Sequence, residues 1–450
     1  MMPLPTGPQL GAAVLLLFVP LTSLRAQDPP KKQPIRLDDH LGTPAWLTVS
    51  GQHRTRFESL NNQFRANPAL RNTEDQLANR SLLRVDYRRE RWGATLEGID
   101  GRMFGTHADS FADTTTVNTL DLLQAYVSWQ PAEGHTLAAG RWTMDLGSRR
   151  LVARNEYRNT INSFVGLRWD YVGEDGYEAG AFWSMPTIRR PSDRRPTGRM
   201  DLVDNEHDWD TQSSDTQFFG VHAQKRIDAG STGQVYLLGF DDTRGTADEQ
   251  IWTLGFRYYR PAKPGKLFGE VEAAYQFGES GPDDIDAHFV HGSIGYTCDC
   301  PMEPGVRLAI DLATGDDGDS DEGRFNTLFG ARRFEYGPTG IWGAIGRRNL
   351  ISPEVRFSLR PTPTTWVLLA VRDIRLESSS DAWVEAGDNT GEGKHVGTQT
   401  ECRLRWEPCR DNLRFETGGA YLAGGNYRET STTGRSSDAR YFFFETILTF

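Results

Sequence analysis

Over most of this chain, apolar and charged residues alternate at a period of two, and the segments that do so are joined by connections sorted by length. Trp252, Leu254, Phe256 and Tyr258 share one parity and Arg257 falls on the other. Val271, Ala273, Tyr275 and Phe277 oppose Glu270, Glu272 and Gln276, and Val355, Phe357 and Leu359 oppose Arg356, Ser358 and Arg360. Successive side chains of a strand point to opposite faces, so each segment reads as a strand with one apolar face. The first candidates are residues 46–57, 79–88 and 92–100, with a polar loop at 58–76 and a long gap at 101–119. Short turns fall at 130–135, 172–176, 227–233, 261–266, 297–304, 361–364 and 407–411. Between them lie longer polar segments at 185–215, 278–287, 314–351, 376–394 and 422–439.

A sandwich or propeller has no reason to sort its loops in this way. A membrane barrel has, because its periplasmic turns are short and its extracellular loops are long. The expected fold is therefore all-β, a transmembrane antiparallel β-barrel of about eighteen strands, an even number. Residues 341–345 are kept in the loop 314–351, because a strand there would put the turn at 361–364 on the wrong side. That loop is long enough to fold inward and obstruct a pore, or to stay outside. A soluble sheet with one solvated face would give the same alternation.

Composition narrows the choice. Hydrophobic residues make up 37% and mean hydropathy is -0.56, which excludes a bundle of membrane helices, each needing ~20 mostly apolar residues in a row. A barrel keeps its average hydropathy low, since only every second strand residue meets lipid. The one sustained apolar run, residues 11–21, reads as the core of a secretory signal peptide at 1–26. An uncleaved anchor is the alternative, but the run is too short to cross a bilayer as a helix. The expected organisation is then signal peptide 1–26, periplasmic leader 27–45 and barrel 46–450. At the end of the chain, Phe442, Phe444, Leu448 and Phe450 share one face. That segment resembles the C-terminal recognition strand of outer-membrane barrels, which implies the barrel-assembly machinery as a partner. In a soluble protein it would be an aggregation-prone edge.

No short catalytic signature is present: there is no GxSxG, HExxH or P-loop, so no enzyme is expected. Cys298, Cys300, Cys402 and Cys409 read as local turn disulfides or inert thiols rather than a zinc site. His288 and His291 have the odd spacing that puts them on opposite faces of a strand. Glu270 and Glu272 share a face, as a glycosidase pair might, but in a lumen they read more simply as wall charges.

Positive charge is concentrated in one place. Between Arg141 and Arg158 the chain sets Arg141, Arg149, Arg150, Arg154 and Arg158 against Asp145 and Glu156, in a protein of net charge -11. Arg141, Thr143 and Asp145 fall on one face and Trp142, Met144 and Leu146 on the other, which would turn the arginine toward the lumen. The alternative is an exposed basic hairpin. The string GRWTMDLGSRRLVARNEYRNT, residues 140–160, resembles the signature segment of the alginate-export family of outer-membrane β-barrels. A second point of resemblance is the acidic segment 314–337, where a Gly-Asp loop leads into Phe-Asn-Thr-Leu-Phe, and a less clear one is 347–360.

The resemblance implies a passive outer-membrane channel of a Gram-negative-type bacterium that conducts an anionic polysaccharide or oligosaccharide through an arginine-lined pore. It places Arg141, Asp145, Arg149, Arg150, Arg154, Asn155, Arg158 and Asn159 at the matching motif positions. A general or solute-specific porin for uptake is the alternative, because a fold alone leaves direction open. Lipid and lipopolysaccharide, with an anionic polysaccharide, are the expected partners, and nucleic acid is not. No cofactor is expected. Asp316, Asp317, Asp319 and Asp321 have the oxygen-rich look of a calcium site without EF-hand spacing, and a solvated acidic loop is the other reading.

Overall fold

The computed structural model describes residues 34–450 apart from 108, 193–201, 229, 246–247, 319 and 433–434, so the expected signal peptide lies outside the described residues. Eighteen strands, each antiparallel to its neighbour in sequence, form one sheet. It closes where the first, Leu47–Asn61, pairs with the last, Ala439–Thr449. At this seam Arg56 lies opposite Glu445, and Gly51 and Phe450 exchange backbone hydrogen bonds of 2.8 and 3.0 Å. Closure leaves no unpaired edge, the condition for a sheet to stand in lipid.

The alternation sets the outer wall. Leu254, Phe256, Tyr258, Val271, Val355 and Phe357 are all exposed on the outer face, where they form an apolar wall. On the last strand Phe442, Phe444 and Leu448 point out while Tyr441, Phe443 and Ile447 are buried inside. Aromatic pairs mark the end that carries the short turns: Trp92 stacks on Trp129 at 6.1 Å and Trp406 on Phe415 at 5.5 Å. Amphipathic rings of this kind favour the lipid–water boundary.

Several strands run past their expected ends. The second and third span Thr73–Arg89 and Trp92–Phe104, so the first polar loop shrinks to 62–72. The segment 278–287 is a correction of kind. Lys266–Ser280 and Asp283–Thr297 pair all the way to Ser280 opposite Asp283, leaving a two-residue turn at 281–282. Its density of Asp and Glu imitates a loop because a strand carried beyond the apolar band can be charged on both faces.

The interior differs most from expectation. The connections 143–163, 314–349 and 376–394 fold inward, and their Leu146, Val152, Phe325, Trp342 and Trp383 join a buried cluster with the wall residues Phe164, Phe289 and Tyr441. Trp342 packs 5.7 Å from Tyr441 and 5.5 Å from Phe64. Inward parity therefore does not mean water: over much of the lumen an apolar wall residue meets an apolar plug residue. Residues 341–345 belong to this plug and form no strand.

Candidate functional site

The arginine-rich segment begins on the strand His135–Trp142. There the parity is the reverse of the expected one. Arg141 falls in step with Leu137, which is exposed on the outer face, whereas Trp142 is buried in the interior cluster. The strand ends at Trp142, so Met144 and Leu146 enter the plug and find their apolar partners there instead of in lipid. Arg141 donates to the Leu122 carbonyl at 2.7 Å and pairs with Asp121 at 3.4 Å. It is a wall residue whose guanidinium pins its neighbour strand and reaches the Asp210 carbonyl at 3.5 Å.

The other matched positions lie in the inward connection 143–163, and most are tied to the fold. Arg150 pairs with Glu270 at 2.6 Å and also with Glu272 and Glu335. Arg347 binds the second oxygen of Glu335. Against the burial that would raise it, Arg150 and Arg347 hold the Glu335 carboxyl well below the usual carboxylate range. This network joins two plug loops to one another and to the wall. Arg154 pairs with Glu97 at 2.7 Å, and its backbone N–H donates to Asp145 at 2.8 Å. Arg149 lies 3.7 Å over the Phe334 ring. Asn155 donates to the Gly330 carbonyl at 3.3 Å. Asn159 donates to the carbonyls of Asn79, Arg102 and Thr116 at 3.1, 3.2 and 2.8 Å.

Arg158 is different. No ion pair is recorded for it among the described residues, and its side chain lines a cavity of about 270 Å³ together with Arg189, Arg332, Arg348 and Glu385. Arg189 donates to the Thr114 carbonyl and to Asn162 Oδ1, both at 2.7 Å. Arg332 and Arg348 share the single carboxylate of Glu385. Burial, then the neighbouring Arg332 and Arg189, push the Arg158 guanidinium down to about 9. Burial lowers that of Arg189 as well. The lining sets four guanidiniums against one carboxylate, with Asp113 and Asp210 acting on Arg158 and Arg189 from outside it, and an anion entering the cavity would relieve desolvation and repulsion.

A second cavity of about 260 Å³ lies at the short-turn end, lined by Arg54, Arg80, Arg414, Glu156, Tyr157 and Glu445 among others. Of these cavity residues only Arg158 was singled out beforehand. Arg189 comes from the connection 187–215, and Arg332 and Arg348 both come from 314–349; their one mark in the sequence is that each sits in an Arg-Arg doublet. Among the described residues no group of three or more His, Cys, Asp or Glu side chains assembles as metal ligands. Asp316 accepts the Gly318 N–H at 3.3 Å, and Asp319 lies outside the described residues. Cys298 and Cys300 are bonded to each other, while Cys402 and Cys409 are free.

A family model described as alginate export matches residues 45–442. No curated protein matches the sequence. Among solved structures, Pseudomonas aeruginosa OccK8 (OprE) superposes with a TM-score of 0.61 at 10% identity, over 90% of this chain and 98% of that one. OccK9 (OpdG) of the same organism gives 0.60 at 14% identity, over 90% and 98%. Its OpdK, solved with vanillate, gives 0.59 at 12% identity, over 89% and 98%. At such identities the likeness is one of fold.

Proposed function

Because this chain belongs to the alginate export family and forms a closed eighteen-strand outer-membrane barrel, it is a channel protein, and we propose that its cargo is an anionic polysaccharide or oligosaccharide guided by lumen arginines. The observation that carries this reading is the cavity where Arg158, Arg189, Arg332 and Arg348 face one carboxylate, Glu385. A uronate chain presents a carboxylate on every sugar, so each unit meets charge-assisted donors and the next unit can replace it. Low surrounding dielectric strengthens each contact, and the excess of cations draws polyanions toward the pore.

Planar-bilayer recordings of the purified protein test this. Anion preference, with current blocked by polymannuronate and restored by its removal, supports it. A wide pore indifferent to ion sign and to the polymer rejects it. The likeness in shape to OpdK with vanillate favours a second reading, uptake of a small anionic solute. In that case liposome swelling would admit small carboxylates readily while polymannuronate leaves the current untouched.

A further inference from the structure

The two arginine-bearing cavities are divided by a short piece of backbone; the one at the short-turn end also carries Glu156, Glu407, Asp411 and Glu445. Glu156 and Tyr157 line the cavity at the short-turn, periplasmic end, and Arg158 lines the other. Residues 156–158 form an arch between Asn155, held on the Gly330 carbonyl, and Asn159, held on three carbonyls of the wall and neighbouring loop. The arch itself is gripped from the wall. Arg54 donates to the carbonyls of Glu156, Tyr157 and Arg158 at 2.9, 3.3 and 2.8 Å and to Asn159 Oδ1 at 3.1 Å. Arg80 donates to the carbonyls of Glu156 and Arg158 at 2.6 and 3.0 Å and to Gln52 Oε1 at 2.9 Å.

Every one of those acceptors is neutral. Arg54 and Arg80 are 1% and 2% exposed, and the Nε of each has no partner. Arg56, beside them, shows the alternative. It donates to the Tyr157 carbonyl at 2.8 Å and pairs with Glu445 at 2.9 Å. A guanidinium binds a carboxylate roughly twice as strongly as a neutral carbonyl, and a buried cation without a counter-ion is costly. We propose that residues 156–158 are a septum across the conducting path, and that carboxylates of the cargo arriving from the periplasmic end take the place of its carbonyls on Arg54 and Arg80. The cargo opens its own way: the exchange puts a charged acceptor in place of neutral ones on the two guanidiniums and frees the arch.

This rests on the anion-conducting reading, and the experiment separates the two. Full-length protein is recorded in planar bilayers of known orientation, with short oligomannuronates or neutral malto-oligosaccharides added at the periplasmic face. Wild type should open more often with oligomannuronate and not with malto-oligosaccharide. The R54Q/R80Q variant should open at least about tenfold more often without sugar, the effect of losing even one net hydrogen bond of those that hold the arch, and should lose the response. Asn159→Ala, which loosens the arch and leaves both arginines, should raise unliganded opening and keep the response. A wild-type channel without anion preference overturns both ideas. Anion preference with R54Q/R80Q still answering to oligomannuronate as wild type does, or with N159A no more open than wild type, overturns the septum alone.

Discussion

The arginines around Glu335 and those around residues 156–158 are almost equally buried, and they differ in the charge of what they touch. Arg150 and Arg347 face Glu270, Glu272 and Glu335, whereas Arg54 and Arg80 face peptide carbonyls and amide oxygens. In the first group each charge is answered within the fold, so the result is a fastener between plug and wall. In the second the answer is incomplete, and the remaining field is available to something that passes through. Counting arginines does not separate a lock from a ligand site in a barrel; counting their acceptors does.

That contrast can be broken in four ways. Glu335→Gln should have the largest effect, because it strands Arg347 and weakens the hold on Arg150. Breaking a buried pair costs about 3–5 kcal/mol, read as a lowered urea midpoint and new protease cuts in 314–349. The Glu335 carboxyl is held below its usual range, so its stabilisation is present above the ordinary carboxylate pKa and is lost as pH falls through the depressed value. A midpoint that does not move would mean that the network is not what holds the plug. Next, Arg158→Gln should weaken polymannuronate block about tenfold, the loss of one charge-assisted bond, while the urea midpoint stays near wild type.

Salt should split the two groups without any mutation. Raising ionic strength from about 0.1 to about 1 M shortens the Debye length from about 10 to about 3 Å. Block by the polymer should weaken several-fold, and plug stability, resting on desolvated pairs, should barely change. Equal sensitivity of both would argue that the ligand arginines are no more open to solvent than the fastener. Smallest of all, Arg141→Gln should leave conductance and block within about a factor of two, since its guanidinium is engaged by Asp121 and the Leu122 carbonyl. A large loss of selectivity there would make it a pore residue.

Much of the wall was legible from parity alone. Phe442, Phe444 and Leu448 face out as their spacing demands, and the strand number follows from the sorting of turns. The turn at 281–282 was not legible, because charge density marks the distance from lipid as much as it marks irregular backbone. Trp142 exposes a deeper limit. Alternation says which residues share a face, but whether an inward face meets water or a folded loop depends on contacts far along the chain. The same holds for the arginines. Arg150 could be told from Arg158 only by knowing that Glu270 and Glu272, some 120 residues on, come to one and not to the other. Nor could the three doublets, carried by two loops, be seen as one cavity before the chain was folded.

The seam carries a consequence for how such a wall is made. Gly51 meets Phe450, so the sheet closes through the strand pair farthest apart in the chain. Contacts of that separation in sequence form slowly. Until they do, both raw borders stand open and no partial intermediate can hold back water. Impermeability is thus acquired all at once and late, which makes a leak during biogenesis a question of how long the cylinder stays unzipped.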